Sequence, residues 1–215
     1  MECPQTTTHN CLISKMTDST QNIKPLIIGI LCDETKYADI LYYLSKFIKT
    51  QTKCPQIEFI LFGFKPEHNG VKKLVHNLNF KYIKPISIIH YYKQLSQLGI
   101  NLLFIPLKDN SFNRTSEIYQ KYIDAGLNKI PVLAPNLNPY SMIIKNEGNG
   151  LLYEPNGKKD LPKLFYDIYL KSIKTLNENE ISTLQQIGEN AYNDVMTNYH
   201  LTTENLKYIA ENIYN

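Results

Sequence analysis

The chain of 215 residues has no tryptophan, and Arg114 is the only arginine among its 23 basic residues. The basic excess is small, because 20 acidic residues leave a formal net charge of +3. A surface that binds nucleic acid needs clustered excess positive charge. The charge balance therefore argues against a nucleic-acid partner, and the lysine pairs at 72–73 and 158–159 are interpreted as solvated helix faces.

Cysteine is also scarce, and the four cysteines form no C-x-x-C pair: Cys3, Cys11, Cys32 and Cys54. This pattern favours reduced thiols in the cytosol over a metal site or a disulfide framework. The longest apolar run, 26–32, is far shorter than the ~20 residues of a membrane helix. The N-terminus carries no basic segment followed by an apolar one, so no signal peptide is predicted. We expect a cytoplasmic protein without a transmembrane segment.

Several catalytic signatures are missing. The sequence contains no G-x-G-x-x-G and no G-x-x-x-x-G-K-[ST], which excludes the dehydrogenase fingerprint and the P-loop. It contains no G-x-S-x-G elbow and no Asp-x-Asp, so metal-chelated diphosphate chemistry of that type has no support, and no metal site is predicted. The histidines His68, His76, His90 and His200 lie far apart and are interpreted as surface or packed residues.

What is present is an alternation of apolar runs and helical periodicity. Residues 1–22 are polar and aperiodic and are predicted to be a flexible tail, whereas 23–215 are predicted to form one domain. Strands are predicted at 26–32, 57–62, 81–83, 101–107, 130–134 and 150–153. Helices are predicted at 37–51, 71–78, 86–98, 116–127, 139–145, 158–173, 178–199 and 202–214.

This alternation predicts an α/β fold: a doubly wound, mostly parallel, six-stranded Rossmann-like sheet with C-terminal helices. Such sheets bind ligands outside the carboxyl ends of their strands, near the point where the strand order reverses. The loops after Cys32, Gly63 and Leu107 are therefore the candidate site.

The loop after Leu107 is polar, contains Arg114 and leads into a predicted helix. We expect Thr115 or Ser116 to cap that helix. A helix N-terminus suits phosphate, and an arginine can bind phosphate oxygens with two parallel hydrogen bonds. The alternative is an ordinary capped turn with a surface arginine.

Further along that helix lies Asp124. A carboxylate at this depth can accept hydrogen bonds from ribose hydroxyls, as acidic residues do in other dinucleotide folds. The alternative is a solvated helix carboxylate.

Five segments make a family recognisable by their order and spacing. The segments are LKDNSFNR at 107–114, KYIDAG at 121–126 with IPVLA at 130–134, NPY at 138–140, EGNGLL at 147–152 and IGENA at 187–191. From residue 26 to about residue 199, the stretch that contains them, the chain resembles the C-terminal, donor-binding domain of GT-B-fold glycosyltransferases of the family 4 type (glycosyl transferases group 1).

The resemblance implies a nucleotide sugar lying against the carboxyl ends of the strands, as a substrate and without an obligatory metal or other cofactor. It assigns the ribose to Asp124, where the family has glutamate, and places Tyr82 and Ile83 near the base. Ser116 stands where the first family glutamate would fall, and Lys129 replaces a usual glycine. The residues in the loop that faces the diphosphate and sugar are Asn110, Phe112, Asn113 and Arg114.

A full GT-B enzyme has two Rossmann-like domains, with the acceptor site and the usual catalytic base in the N-terminal one. We therefore expect the donor-binding half of a glycosyltransferase, hexosyltransferase-like when an acceptor-domain protein or a second copy completes it. No catalytic residue is assigned. Two alternatives stay open: a degenerate, non-catalytic module for protein interaction or nucleotide sensing, and an unrelated flavodoxin-like binder of small molecules.

Overall fold

A computed structural model describes residues 25–31, 37–63, 80–84, 88–156, 160–177 and 183–199. The strands in these ranges are β1 (Leu26–Leu31), β2 (Ile57–Phe62), β3 (Phe80–Ile83), β4 (Leu102–Phe104), β5 (Val132–Pro135) and β6 (Leu151–Tyr153). The helices are α1 (Tyr37–Lys53), α2 (Ile88–Gln97), α3 (Ser111–Ser116), α4 (Gln120–Leu127), α5 (Tyr140–Ile143), α6 (Leu161–Asn177) and α7 (Thr183–Asn198). The predicted tail and the helices predicted at 71–78 and 202–214 lie outside the described residues.

The six strands of the described ranges form one sheet in the order β3-β2-β1-β4-β5-β6, and every neighbouring pair is parallel. The prediction of a doubly wound Rossmann-like sheet is confirmed. The chain moves outward from β1 to β3 and then crosses back to β4 on the other side of β1. The strand order therefore reverses between β1 and β4, and this switch point is where such sheets bind ligands.

Helices cover both faces of the sheet and bury two separate apolar clusters. On one face, Phe47 of α1 and Phe165 of α6 pack on the rings of Phe59 and Phe104, with ring centroids 4.8 to 6.3 Å apart. We call this the α1/α6 face. The opposite cluster contains residues of α2, α4 and α7 and is called the α4/α7 face. Strand residues are buried from both sides, which explains their nearly continuous apolar sequence.

A partly buried polar contact joins α7 to α4. The Tyr122 hydroxyl donates to Asp194 Oδ2 at 2.5 Å, and the buried Asn149 donates to the same oxygen at 3.2 Å. Burial, followed by the neighbouring Asp194 carboxylate, raises the pKa of Tyr122 far above its usual value. The C-terminal helix is thus tied to α4 and to the turn before β6 by one shared carboxylate oxygen.

Lys129, between α4 and β5, has a φ of 57°, in the left-handed region that favours glycine. The family resemblance places a glycine at this position, and the observed backbone gives the physical reason. The lysine side chain makes two contacts: Nζ lies 3.0 Å from the Glu189 carboxylate and 5.1 Å from the centroid of the Tyr192 ring.

In the described part of the chain, no helix is long and apolar enough to cross a membrane.

We predict that Gly188→Ala destabilises the domain. A Cβ on Gly188 would overlap the carbonyl oxygen of Lys129, which is backbone and cannot rotate away. Overpacking of this kind costs about 1–3 kcal/mol, whereas glycine to alanine on an open helix surface stabilises by up to ~1 kcal/mol. Urea unfolding followed by circular dichroism measures the change. Asn193→Ala, at an exposed position of the same helix, is the control and should leave the midpoint nearly unchanged; equal midpoints for the two variants would contradict the prediction.

Candidate functional site

The chain leaves the sheet early at the switch point. A strand was predicted over 101–107, but β4 ends at Phe104. Ile105 still donates to the Leu133 carbonyl at 3.0 Å. Pro106 has no N–H to offer, and the Leu107 N–H donates to the Tyr153 hydroxyl at 3.2 Å instead of to a strand. A tertiary partner therefore ends the strand and starts the loop.

Two buried tyrosines hold the backbone of this loop. The Tyr153 hydroxyl donates to the Ile105 carbonyl at 2.9 Å, and the Tyr43 hydroxyl donates to the Leu107 carbonyl at 2.8 Å. The two hydroxyl oxygens lie 3.3 Å apart. Burial raises the pKa of both phenols well above the ordinary value. The loop therefore begins from a fixed position between β1 and β4.

These pKa shifts predict a loss of stability in alkali. A tyrosine of the unfolded chain ionises near pH ~10, whereas Tyr43 keeps its proton in the folded state. The contribution of Tyr43 to the free energy of unfolding is complete below pH ~10. Above that pH it falls by up to ~1.4 kcal/mol per pH unit. Tyr43→Phe should cost ~1 kcal/mol at pH 7 through the lost hydrogen bond, but should flatten the decline above pH 10.

Urea unfolding between pH 7 and pH 11.5 measures this slope. Tyr192→Phe, in a partly exposed tyrosine of α7, is the matched control and should retain the slope of the unmodified chain. An unchanged slope in Tyr43→Phe would overturn the assignment.

Asn113 bridges the two sides of the switch point. Its Nδ2 donates to Asp39 Oδ2 at 2.7 Å and to the Lys108 carbonyl at 2.8 Å. Asp39 lies in the first turn of α1, which follows β1, and Asn113 lies in α3, which follows β4. Both side chains are buried. Asn113 was predicted to face the donor. Its amide hydrogens instead bind Asp39 and the Lys108 carbonyl and so attach the loop to α1.

The helix after the loop begins five residues earlier than predicted. Asn110, not Thr115 or Ser116, is the N-cap: its Oδ1 accepts the Asn113 N–H at 2.8 Å, and α3 then runs over Ser111–Ser116. The predicted cap is therefore wrong, because the Asn110 side chain already accepts a free N–H of the first turn before the chain reaches Thr115. Ser116 is the last residue of α3, and α4 starts at Gln120 without a side-chain cap.

Glu117 marks the break between α3 and α4, where a single helix was expected. Its backbone is extended, with ψ at 140°, and its carboxylate accepts from the Tyr140 hydroxyl at 2.8 Å and lies 3.4 Å from Lys121 Nζ. Tyr140 is fully buried. Sequence reasoning quoted Tyr140 as part of a motif but missed that its hydroxyl fixes this break.

Arg114 is held by a carboxylate that the sequence analysis did not single out. Its Nε and Nη2 donate to the two oxygens of Asp109 at 2.5 and 2.8 Å, and the arginine side chain is 58% exposed. Hydrogen bonding from Arg114 is the main reason that the pKa of Asp109 lies below its usual value. Asp109 Oδ2 also accepts from Asn156 Nδ2 at 3.2 Å, which links the loop to the segment after β6.

The remaining predicted loop residues lie at the surface. Asn110 and Ser116 are exposed, and the Phe112 ring is 60% exposed. The structure therefore brings these three residues and Arg114 together on the short segment 110–116, above the buried Asn113.

Asp124 and Tyr82 lie elsewhere. Asp124 is buried on α4, where Oδ1 accepts from Gln120 at 2.8 Å and Oδ2 accepts from the Tyr91 hydroxyl at 3.1 Å. Tyr91 in turn stacks edge-on against Phe62 at the end of β2. Tyr82 packs against the cluster on the α1/α6 face, opposite the face of Asp124. One ligand could reach both residues only across the carboxyl edge of the sheet.

Among the described residues, no three His, Cys, Asp or Glu side chains are grouped so that they could hold a metal ion.

No family model and no curated protein matches the sequence. Solved structures do match the fold. TarM from S. aureus matches 92% of this chain with a TM-score of 0.61 and 18% identity. The C-terminal domain of a glycosyl transferase group 1 family protein (LpcC) from Francisella tularensis matches 93% with a TM-score of 0.56 and 18% identity. The chain has the fold of a GT-B glycosyltransferase C-terminal domain.

The chain spans only part of the length of several of the structures that it matches. It covers 36% of TarM but 96% of the LpcC C-terminal domain. HepE from Anabaena, in complex with UDP and glucose, matches 94% of this chain with a TM-score of 0.60 and 18% identity, and 52% of the HepE chain is covered. The resemblance stated from the sequence is confirmed at the level of the fold.

Proposed function

We propose that the chain is the donor-binding half of a glycosyltransferase and that it binds a UDP-sugar at the switch point of the sheet. The observation that carries the proposal is the polar loop at 109–116, which two tyrosine hydroxyls and Asn113 fasten between β1 and β4. Two proteins with this fold support the choice of ligand: HepE is known in complex with UDP and glucose, and pneumococcal GtfA in complex with UDP and GlcNAc.

Arg114 is proposed to bind the diphosphate. A guanidinium has five N–H groups. Asp109 accepts from two of them, and in the part of the chain that the structure describes the other three are not committed. Since the ion pair is exposed, diphosphate oxygens can join it without desolvating a buried charge. Asp109 then holds the guanidinium plane in one orientation, which favours two parallel hydrogen bonds to phosphate.

The neighbours of Arg114 are proposed to complete the contact. Asn110, Phe112 and Ser116 are exposed on the same segment and can reach the diphosphate or the sugar. Asn113 acts through the loop as a positioning residue, because its amide binds Asp39 and Lys108. Tyr82, at the end of β3, stays proposed for the base.

Asp124 is proposed to bind the ribose. The Gln120 amide and the Tyr91 hydroxyl each donate to one oxygen of Asp124 and hold its carboxylate in one orientation. A carboxylate held in this way is a charged acceptor for a hydroxyl of the ribose. The shorter aspartate reaches less far than the family's glutamate, and a smaller contribution to affinity follows from that.

The reaction class that fits is transfer of a glycosyl group, with the nucleoside diphosphate as leaving group stabilised by Arg114. The chain spans 36% of TarM and 52% of HepE. The acceptor and the catalytic base are therefore assigned to a second domain, a partner protein or a second copy. We propose a cytoplasmic location and no obligatory metal. The comparisons give no support to the non-catalytic alternative.

Binding should depend on Arg114. Calorimetric titration of the full chain with UDP, UDP-glucose, UDP-GlcNAc, and GDP- and ADP-sugars should find a uridine preference. Arg114→Ala should weaken UDP binding by at least about tenfold, because bidentate charged hydrogen bonds are lost. Lys163→Ala removes an exposed positive charge on α6 and should change the affinity less than about twofold. The proposal would be refuted, and the non-catalytic module favoured, if the folded chain bound none of these ligands. Equal UDP affinities of Arg114→Ala and Lys163→Ala would have the same meaning.

The role of Asp124 can be separated from its structural contacts. Asp124→Asn should weaken UDP binding by about tenfold, because a ribose hydroxyl loses a charged acceptor. Tyr91→Phe removes one hydrogen bond to the same carboxylate and should leave the UDP affinity within about twofold. If both variants lower thermal stability equally and neither changes UDP binding, Asp124 is an anchor for α2 and not a ligand of the ribose.

A further inference from the structure

A cavity of about 440 Å³ lies beside the carboxyl end of β6, between α1 and α6. Its volume is within the range of small-molecule sites. None of the seven residues predicted to bind the donor is among the described residues that line it. The cavity is therefore distinct from the loop proposed to bind the nucleotide sugar.

The walls of the cavity combine apolar side chains with an aromatic ring. The apolar part of the lining consists of leucines: Leu152, Leu161 and Leu164. The Tyr42 ring lines one side and is 45% exposed. It is fixed in place, because the Tyr43 ring meets it edge-on with centroids 5.0 Å apart and Lys108 Nζ lies 4.8 Å from its centroid. A preorganised aromatic wall loses little conformational entropy on binding.

The rim of the cavity carries amides and two opposite charges. Asn136 Nδ2 donates to Glu154 Oε1 at 2.6 Å, and Asn156 lies at the same rim. Lys46 and Glu154 are the charged residues among those that line the cavity, and their charges cancel. Side-chain amides donate and accept, and a carboxylate accepts up to four hydrogen bonds. This rim suits a neutral ligand with many hydroxyl groups better than a polyanion.

We infer that this cavity is a second binding site, and that its ligand is a neutral saccharide. The C–H face of a sugar ring packs on Tyr42, and its hydroxyls donate to Glu154 and exchange hydrogen bonds with Asn136 and Asn156. The inference stands on these residues and does not depend on the proposed donor site. Two contacts connect the cavity to the loop proposed to bind the donor. Lys108 Nζ lies over the Tyr42 ring, and Asn156 Nδ2 donates to Asp109 Oδ2. A saccharide held here lies beside the loop that carries Arg114.

The test is a ¹H–¹⁵N NMR titration of the full chain with maltose, cellobiose and N,N′-diacetylchitobiose, with UDP titrated separately. We expect saturable shifts of the side-chain amides of Asn136 and Asn156 with at least one disaccharide. Tyr42→Ala and Glu154→Gln should each weaken that binding by about fivefold or more. Tyr119→Ala is the control, since Tyr119 has a similar exposure of 39% and lies outside the cavity; it should bind as the unmodified chain does.

Three results would overturn the inference: no saturable shift with any of the disaccharides, shifts confined to the loop at 109–116, or undiminished binding in both Tyr42→Ala and Glu154→Gln. Glu154→Gln keeps the size of the side chain, so its effect separates lost recognition from a folding defect in Tyr42→Ala. Disaccharide binding without any UDP binding would refute the proposed donor function and support the second site.

Discussion

The architecture at the switch point depends on the hydrogen bonds between two tyrosine hydroxyls and the backbone at 105–107. Leaving the sheet exposes backbone groups that a neighbouring strand would otherwise satisfy, and such groups are costly to bury without partners. Tyr153 from β6 and Tyr43 from α1 provide those partners. Three segments that are distant in sequence therefore converge on one point, and together they fix the position from which the loop begins.

The polar side chains in and around the loop are arranged in two layers. The lower layer is the buried pair of Asp39 and Asn113, which joins the segments that follow β1 and β4. The upper layer is the exposed pair of Asp109 and Arg114. Burial makes the first pair a structural element, since an unpaired carboxylate there would be costly. Exposure leaves the second pair able to exchange partners with a ligand at little cost.

The sheet could be predicted from the sequence because its strands are buried on both faces and read as apolar runs separated by helical periodicity. The motifs around 107–114 and 121–134 correctly indicated the GT-B C-terminal fold. The split between α3 and α4 could not be predicted, because it depends on Tyr140, which reaches Glu117 from 23 residues away. Local helix propensity favoured one continuous helix over 116–127. The tertiary hydrogen bond from Tyr140 to Glu117 outweighs that propensity and interrupts the helix. The pairing of Arg114 with Asp109 was equally hidden, since nothing in a polar loop distinguishes one acidic residue from its neighbours.

The hydrogen bond from Tyr122 to Asp194 has a practical consequence for anyone who shortens this protein. Asp194 belongs to α7, and Tyr122 lies two residues before Asp124 on α4. A fragment that stops before α7 would leave the Tyr122 hydroxyl and the Asn149 amide without their shared acceptor and would uncover the apolar side of α4. Expression fragments should therefore extend at least through Tyr199, and a gene fusion is better joined beyond that residue than at the apparent end of the sheet.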